Sequence, residues 1–196
     1  MSKRIVRLKK KKFDPVVIIG AGVVLVSLSV ILLLLHPRGS SVSQPAPDQL
    51  PVAPAAMVDF PAPDLSLEDV SGETESLADY RGQVVLVNNW AVWCPPCKAE
   101  LPTLEAYYEA HAADGFIIVA IEAGDPKDTV SQFVQSGGLK FRVWIDPDNA
   151  SLSAFRNTNL PNSYVIDRTG TVRYAWVGET DQAMLEKYIT PLLAQQ

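Results

Sequence analysis

The chain has 196 residues, with 17 Lys and Arg against 22 Asp and Glu, two histidines, two cysteines and a formal net charge of −5. That length holds one ordinary domain with appendages and is a poor fit to two full domains. A composition 47% hydrophobic and 20% charged excludes a disordered chain. Two cysteines exclude both a Cys-only zinc site and a miniprotein stapled in several places.

Charge and hydrophobicity are unevenly spread. The opening MSKRIVRLKKKK holds Lys3, Arg4, Arg7 and the run Lys9, Lys10, Lys11 and Lys12. From Val16 to Leu35 no ionisable side chain occurs. Such a run, wound as a helix, rises about 30 Å, the thickness of a bilayer's hydrocarbon core. A secretory signal has a shorter apolar core and a cleavage site close behind it. Here His36-Pro37-Arg38 follows, and small-residue sites first occur around Ala53 to Ala56. The expectation is an uncleaved single-pass anchor: residues 1–15 a cytoplasmic basic segment and 16–35 a transmembrane helix, with a cleaved signal as the alternative. The positive-inside rule then places everything after residue 36 outside the cytoplasm, periplasmic or on the outer face of the cell membrane. Orientation already accounts for the basic tract, so a nucleic-acid patch is its weaker reading.

Residues 36–58 carry five prolines and read as a semi-extended linker, at most about 70 Å long as polyproline II. Beyond Leu35 ten basic side chains face twenty-one acidic ones, a net of −11. No nucleic-acid partner is expected of so acidic a domain.

Residues 59–196 form the expected domain. Ser71-Gly72 marks a hairpin turn inside FPAPDLSLEDVSGETESLADYRG. VVLVNNW (Val84 to Trp90) and FIIVAIEA (Phe116 to Ala123) are near-continuous apolar runs, as in strands buried on both faces. Pro95 to about Ala112 and Asp125 to Gly137 have helical spacing. FRVWID (Phe141 to Asp146) gives a third strand and Asn149 to Arg156 a short helix. Ser163 to Gly178 reads as two strands around Asp167-Arg168-Thr169-Gly170, and Asp181 to Leu193 as a closing amphipathic helix. Strands alternating with helices and ending in a hairpin mean α/β with a central mixed sheet.

Both cysteines lie in Trp93-Cys94-Pro95-Pro96-Cys97, between a buried strand and a helix start. Thiols so placed can close a disulfide and reopen it. The first sulfur lies near unpaired backbone N–H groups and the positive end of the helix dipole. Thiolate, the attacking species in exchange, is favoured there. Pro95 and Pro96 fit a first turn, whose N–H groups have no intrahelical partner to lose. Cys94 is thus the expected nucleophile and Cys97 the resolving thiol. A purely structural disulfide closes too short a loop to gain much. A metal reading lacks ligands: His36 is at the membrane and His111 is far along the helix. Lys98 stands where haem attachment would require His. No metal and no cofactor beyond the Cys94–Cys97 redox pair is expected.

The segment VVLVNNWAVWCPPCKAELP resembles the active-site segment of thioredoxin-fold proteins of the membrane-anchored TlpA/ResA/CcmG (DsbE) type, within the AhpC/TSA-Redoxin-like superfamily. The likeness runs from FPAPDLSL and SLADYRG to LPNSYVIDRTGTVRYAWVG. It implies a thioredoxin-like fold with an added N-terminal β-hairpin. It also implies reduction of disulfides in exported proteins, often apocytochrome c during haem attachment, with electrons from a membrane thiol transporter of the CcdA/DsbD type. By the same resemblance Pro161 is the cis-proline beside the active-site disulfide, Pro102 is the kink proline of the active-site helix, and Trp93, Pro95, Leu160, Pro161 and Asn162 form the substrate-binding set.

Glu100 matches a family glutamate near the thiols. At about 100° per residue, Cys97, Leu101, Leu104 and Tyr108 share a buried face, and Glu100 lies just beyond its edge. A partly desolvated carboxylate there would have a raised pKa suited to proton transfer. Asn88 stands where ordinary thioredoxins have a buried Asp, and Asn cannot carry the proton, so Glu100 is the expected proton carrier. Asn89 departs from a common aromatic, and Asn162-Ser163 from Thr-Thr, where a substrate strand would pair. Two alternatives belong to other classes: a copper-centre assembly factor or metallochaperone, and a peroxiredoxin-like peroxidase. The latter would want Thr three residues before its cysteine, where Ala91 stands.

Overall fold

The computed structural model describes residues 54–195. The expected basic segment, membrane span and most of the linker lie outside the described residues. Eight strands form one mixed sheet: β1 (Ala56–Pro61), β2 (Ser66–Asp69), β3 (Thr74–Ser76), β4 (Val84–Trp90), β5 (Phe116–Ala123), β6 (Arg142–Asp146), β7 (Asn162–Ile166) and β8 (Thr171–Val177). Their order across the sheet is β1-β8-β7-β4-β5-β6-β2-β3. Five helices accompany it: α1 (Pro95–His111), α2 (Lys127–Gly137), α3 (Ala150–Ala154), α4 (Gln182–Tyr188) and α5 (Thr190–Leu193).

β4 lies inside the sheet, parallel to β5 and antiparallel to β7, and all seven of its residues are buried. That double coverage is why its sequence reads as a continuous apolar run rather than an alternation. Alternate side chains serve two cores. Val84, Leu86 and Trp90 pack with Cys97, Leu101, Leu104 and Tyr107 of α1. Val85 and Val87 pack with Leu77, Tyr80, Trp144 and Tyr164 on the other face. Asn88 and Asn89, near the strand's end, therefore point into opposite halves of the molecule.

The hairpin at Ser71-Gly72 forms as β2 and β3. Three expectations need correction. β1 begins at Ala56, inside the stretch expected to be linker, and pairs antiparallel with β8. Almost all of it is exposed, so edge hydrogen bonds rather than an apolar alternation hold it. The closing helix is two helices, α4 and α5, because Pro191 has no N–H to continue the first. The buried face of α1 contains Tyr107, not Tyr108, and takes in Glu100 completely. α4 and α5 cover that flank: the Tyr107 hydroxyl lies 2.8 Å from Thr190 Oγ1 and 3.4 Å from the Leu185 carbonyl.

Candidate active site

β4 ends at Trp90, the four residues Ala91 to Cys94 make a turn, and α1 begins at Pro95. The turn is closed by the Cys94 N–H donating to the Ala91 carbonyl at 3.1 Å. Cys94 is the N-cap of α1, with extended backbone, and its sulfur accepts from the Cys97 N–H at 3.3 Å. Pro95 and Pro96 remove two N–H groups that would otherwise be unsatisfied in that turn. Cys94 and Cys97 form a disulfide with Cα atoms 5.3 Å apart. Cys94 retains 4% exposure and Cys97 none, while the adjacent Trp93 is 65% exposed. A partner therefore reaches Cys94 first, alongside an indole that offers it apolar surface.

The second wall of the site is the start of β7. The Leu160–Pro161 bond is cis, and the Pro161 carbonyl accepts from the Gly178 N–H at 2.8 Å. Asn162 pairs with Asn89 across the β4–β7 ladder, so the proline loop and the cysteine turn leave the same end of adjacent strands. Leu160 is partly buried against the core cluster that holds both cysteines.

The Asn162 side chain turns into the protein. It is fully buried, donating to the Asn159 carbonyl at 2.6 Å and accepting from Asn89 Nδ2 at 2.8 Å. Asn89 in turn accepts from the Ser151 hydroxyl of α3 at 2.6 Å. Two departures from the family pattern, Asn89 and Asn162, are thus hydrogen-bonded to each other, and a chain of polar groups ties the proline loop to β4 and α3. On the opposite face Asn88 Nδ2 donates to Ser163 Oγ at 3.1 Å and to Glu100 Oε1 at 2.9 Å.

Glu100 lies one turn beyond Cys97 on α1 and is completely enclosed. Its second oxygen accepts from the Thr180 N–H at 2.7 Å. Burial pushes its pKa up to about 7, although the hydrogen bonds from Asn88 and Thr180 favour the ionised form. A carboxyl so poised exchanges a proton readily near neutral pH. Among the described residues no group of three His, Cys, Asp or Glu comes together as a metal site.

The AhpC/TSA family profile matches residues 58–175. The chain belongs to the AhpC/TSA family. Within that family it is similar to ResA, a thiol-disulfide oxidoreductase of Geobacillus kaustophilus: 34% identical over 135 residues, covering 69% of this chain and 78% of the relative. ResA of Bacillus subtilis is 34% identical over 128 residues, 65% of this chain and 72% of the relative. A crystal structure of a putative thiol:disulfide interchange protein DsbE from Chlorobium tepidum superposes with a TM-score of 0.66 at 28% identity, covering 71% of this chain and 100% of that one. This AhpC/TSA protein is a thioredoxin-fold thiol-disulfide oxidoreductase of the TlpA/ResA/CcmG type.

Sequence reasoning missed Thr180 and the depth of Glu100, because Glu100's partners come from β4 and from the segment after β8, 12 and 80 residues away. It also passed over Glu122, a fully buried carboxylate at the end of β5. The signal was visible: an acid inside the apolar run FIIVAIEA.

Proposed function

We propose that this oxidoreductase is tethered at the outer face of the cell membrane by residues 16–35 and acts there as a reductant. Its substrates are disulfides of exported proteins, apocytochrome c among them, and its electrons come from a membrane thiol transporter of the CcdA/DsbD type. The chain's likeness to ResA and to DsbE supports the substrate class. The apolar run of residues 16–35 behind a lysine-rich cap supports the tether and its orientation.

In the reduced protein Cys94 ionises at the start of α1, where its sulfur accepts the Cys97 N–H. Its thiolate attacks a substrate disulfide; a Cys94–substrate disulfide forms and one substrate thiolate leaves, to be protonated by water. Cys97 then gives its proton to the Glu100 carboxylate and attacks the Cys94 sulfur. The second substrate thiolate leaves, and the two electrons of the Cys94–Cys97 dithiol now reside in the two substrate thiols. Glu100 passes its proton on and is ready again. Trp93, Pro95, Leu160 and Pro161 frame the approach, and Asn162 holds the proline loop from beneath.

The observation that carries this reading is the buried Glu100 one turn from Cys97, held between Asn88 and Thr180. Alkylation of the reduced full chain across a pH series tests it. Cys94 should react as a thiolate well below the ordinary thiol pKa of about 8.5, with Cys97 protected. Two cysteines alkylated alike, with an ordinary thiol profile, would overturn it.

A further inference from the structure

Glu122 has no part in the exchange scheme, yet it is fully buried at the mouth of the active-site turn. One of its oxygens accepts from the Val92 N–H at 3.3 Å and the other from the Asp125 N–H at 3.2 Å. Val92 lies in the turn that delivers Cys94, and Asp125 lies in the turn leading into α2. A single carboxyl group therefore bridges the two loops, beside the contact of Trp90 of β4 with Phe133 of α2, whose ring centroids lie 5.3 Å apart.

The Asp125 carboxyl acts on Glu122 and raises its pKa, and Asp125 Oδ2 is buried without a hydrogen-bond partner among the described residues. Two ionised carboxylates in that arrangement would repel each other, and an acceptor facing an acceptor satisfies neither. A proton on Glu122, donated to Asp125 Oδ2, resolves both problems. The neighbouring strands bring no compensating charge: Glu122 sits beside Trp90 of β4 and Ile145 of β6. On α1, Glu100 is engaged by Asn88 and Thr180 and Lys98 is exposed. Among the described residues, Asp125 is the ionisable group that acts on Glu122.

We propose that Glu122 is a positioning residue for exchange at Cys94: its carboxyl, accepting from the N–H groups of Val92 and Asp125, clamps the Ala91–Trp93 turn to the start of α2. Burial, followed by the hydrogen bond and charge of Asp125, pushes Glu122 up to about 8, so the carboxyl that holds the turn changes its protonation in mild alkali. The inference rests on Cys94 being the attacking thiol.

The test uses the full chain in detergent, labelled with [15N]valine and kept oxidised so that neither cysteine titrates. The Val92 amide resonance should move in one step centred at about pH 8. In Glu122→Gln it should stay flat, because the amide accepts from Val92 and donates to Asp125 without titrating. In the reduced full chain, exchange with a small aromatic disulfide at neutral pH should stay within about twofold of wild type for Glu122→Gln and fall about tenfold for Glu122→Ala. A Val92 resonance with the same pH profile in wild type and Glu122→Gln overturns the inference, and so does wild-type exchange by Glu122→Ala. If Glu122→Ala does not fold, the two Glu122→Gln readouts decide. Exchange that survives Cys94→Ser would instead overturn the underlying assignment, and the Val92 titration, read without any thiol, tells the two failures apart.

Discussion

Glu100 is a carboxylate that the fold has removed from water without supplying a cation. Asn88 and Thr180 give it two neutral donors, enough to retain it but not to hold it in the ordinary acidic range; it titrates at about 7. Only the ionised form accepts the Cys97 proton, so resolution of the mixed disulfide should accelerate as pH rises through about 7. Glu100→Gln keeps the shape, loses that rise, and should slow resolution about a hundredfold, the usual scale of general-base assistance; stopped-flow exchange across a pH series reads both effects. The same group leaves a mark on stability. Its folded pKa lies above the ordinary 4.5, so the stability it contributes is complete below about pH 4.5 and is lost as pH rises through about 7. Urea unfolding of the oxidised protein should show this slope in wild type and a shallower one in Glu100→Gln. Equal slopes would contradict the assignment, with Glu122 as the remaining contributor of the same sign.

At the scale of elements, the site is where two strand ends meet. β4 and β7 are neighbours, and their last and first residues, Asn89 and Asn162, are paired. The buried link from Asn159 through Asn162 and Asn89 to Ser151 fixes the proline loop against the body of the sheet. Asn89→Leu would leave Asn162 Oδ1 and the Ser151 hydroxyl without their partner in a dry interior, at a cost of about 1–3 kcal/mol for each group so stranded. Thermal unfolding should register the loss as a lowered Tm. An unchanged Tm would mean that the network contributes nothing.

Legibility in the sequence followed burial at this scale. β4 and β5 are enclosed on both faces, and their apolar runs gave their ends to the residue. β1 carries almost no buried side chain, so nothing in MVDFP distinguished it from the prolines before it. The cysteine turn was readable because Cys carries its chemistry in its identity, and the cis-proline through the resemblance of LPNSYVID to the family pattern. Glu100's role in the sequence was a border position on a helix wheel. Its complete burial depends on α4, α5 and Thr180, contributed by chain far downstream, which a wheel does not contain.

For the whole molecule, the net −5 of the chain divides into a basic first segment and a later part at −11. That division accords with a protein held across a membrane, and it makes a simple expectation. The full chain should remain in the membrane pellet after alkaline carbonate extraction, and alkaline phosphatase joined after residue 58 should be active, since that reporter folds only outside the cytoplasm. Release into the soluble fraction, or activity of the reporter joined after residue 15 instead, would contradict the topology.

In the exchange cycle Cys94 attacks and Cys97 resolves. Cys97→Ser in the full chain, expressed where its natural partners are present, tests it most directly. A stable mixed disulfide on Cys94 with an exported protein is expected, identified by mass spectrometry and released by reductant, with no such species in Cys94→Ser. A Cys97→Ser chain that accumulates no adduct, or a Cys94→Ser chain that accumulates the same one, would contradict it.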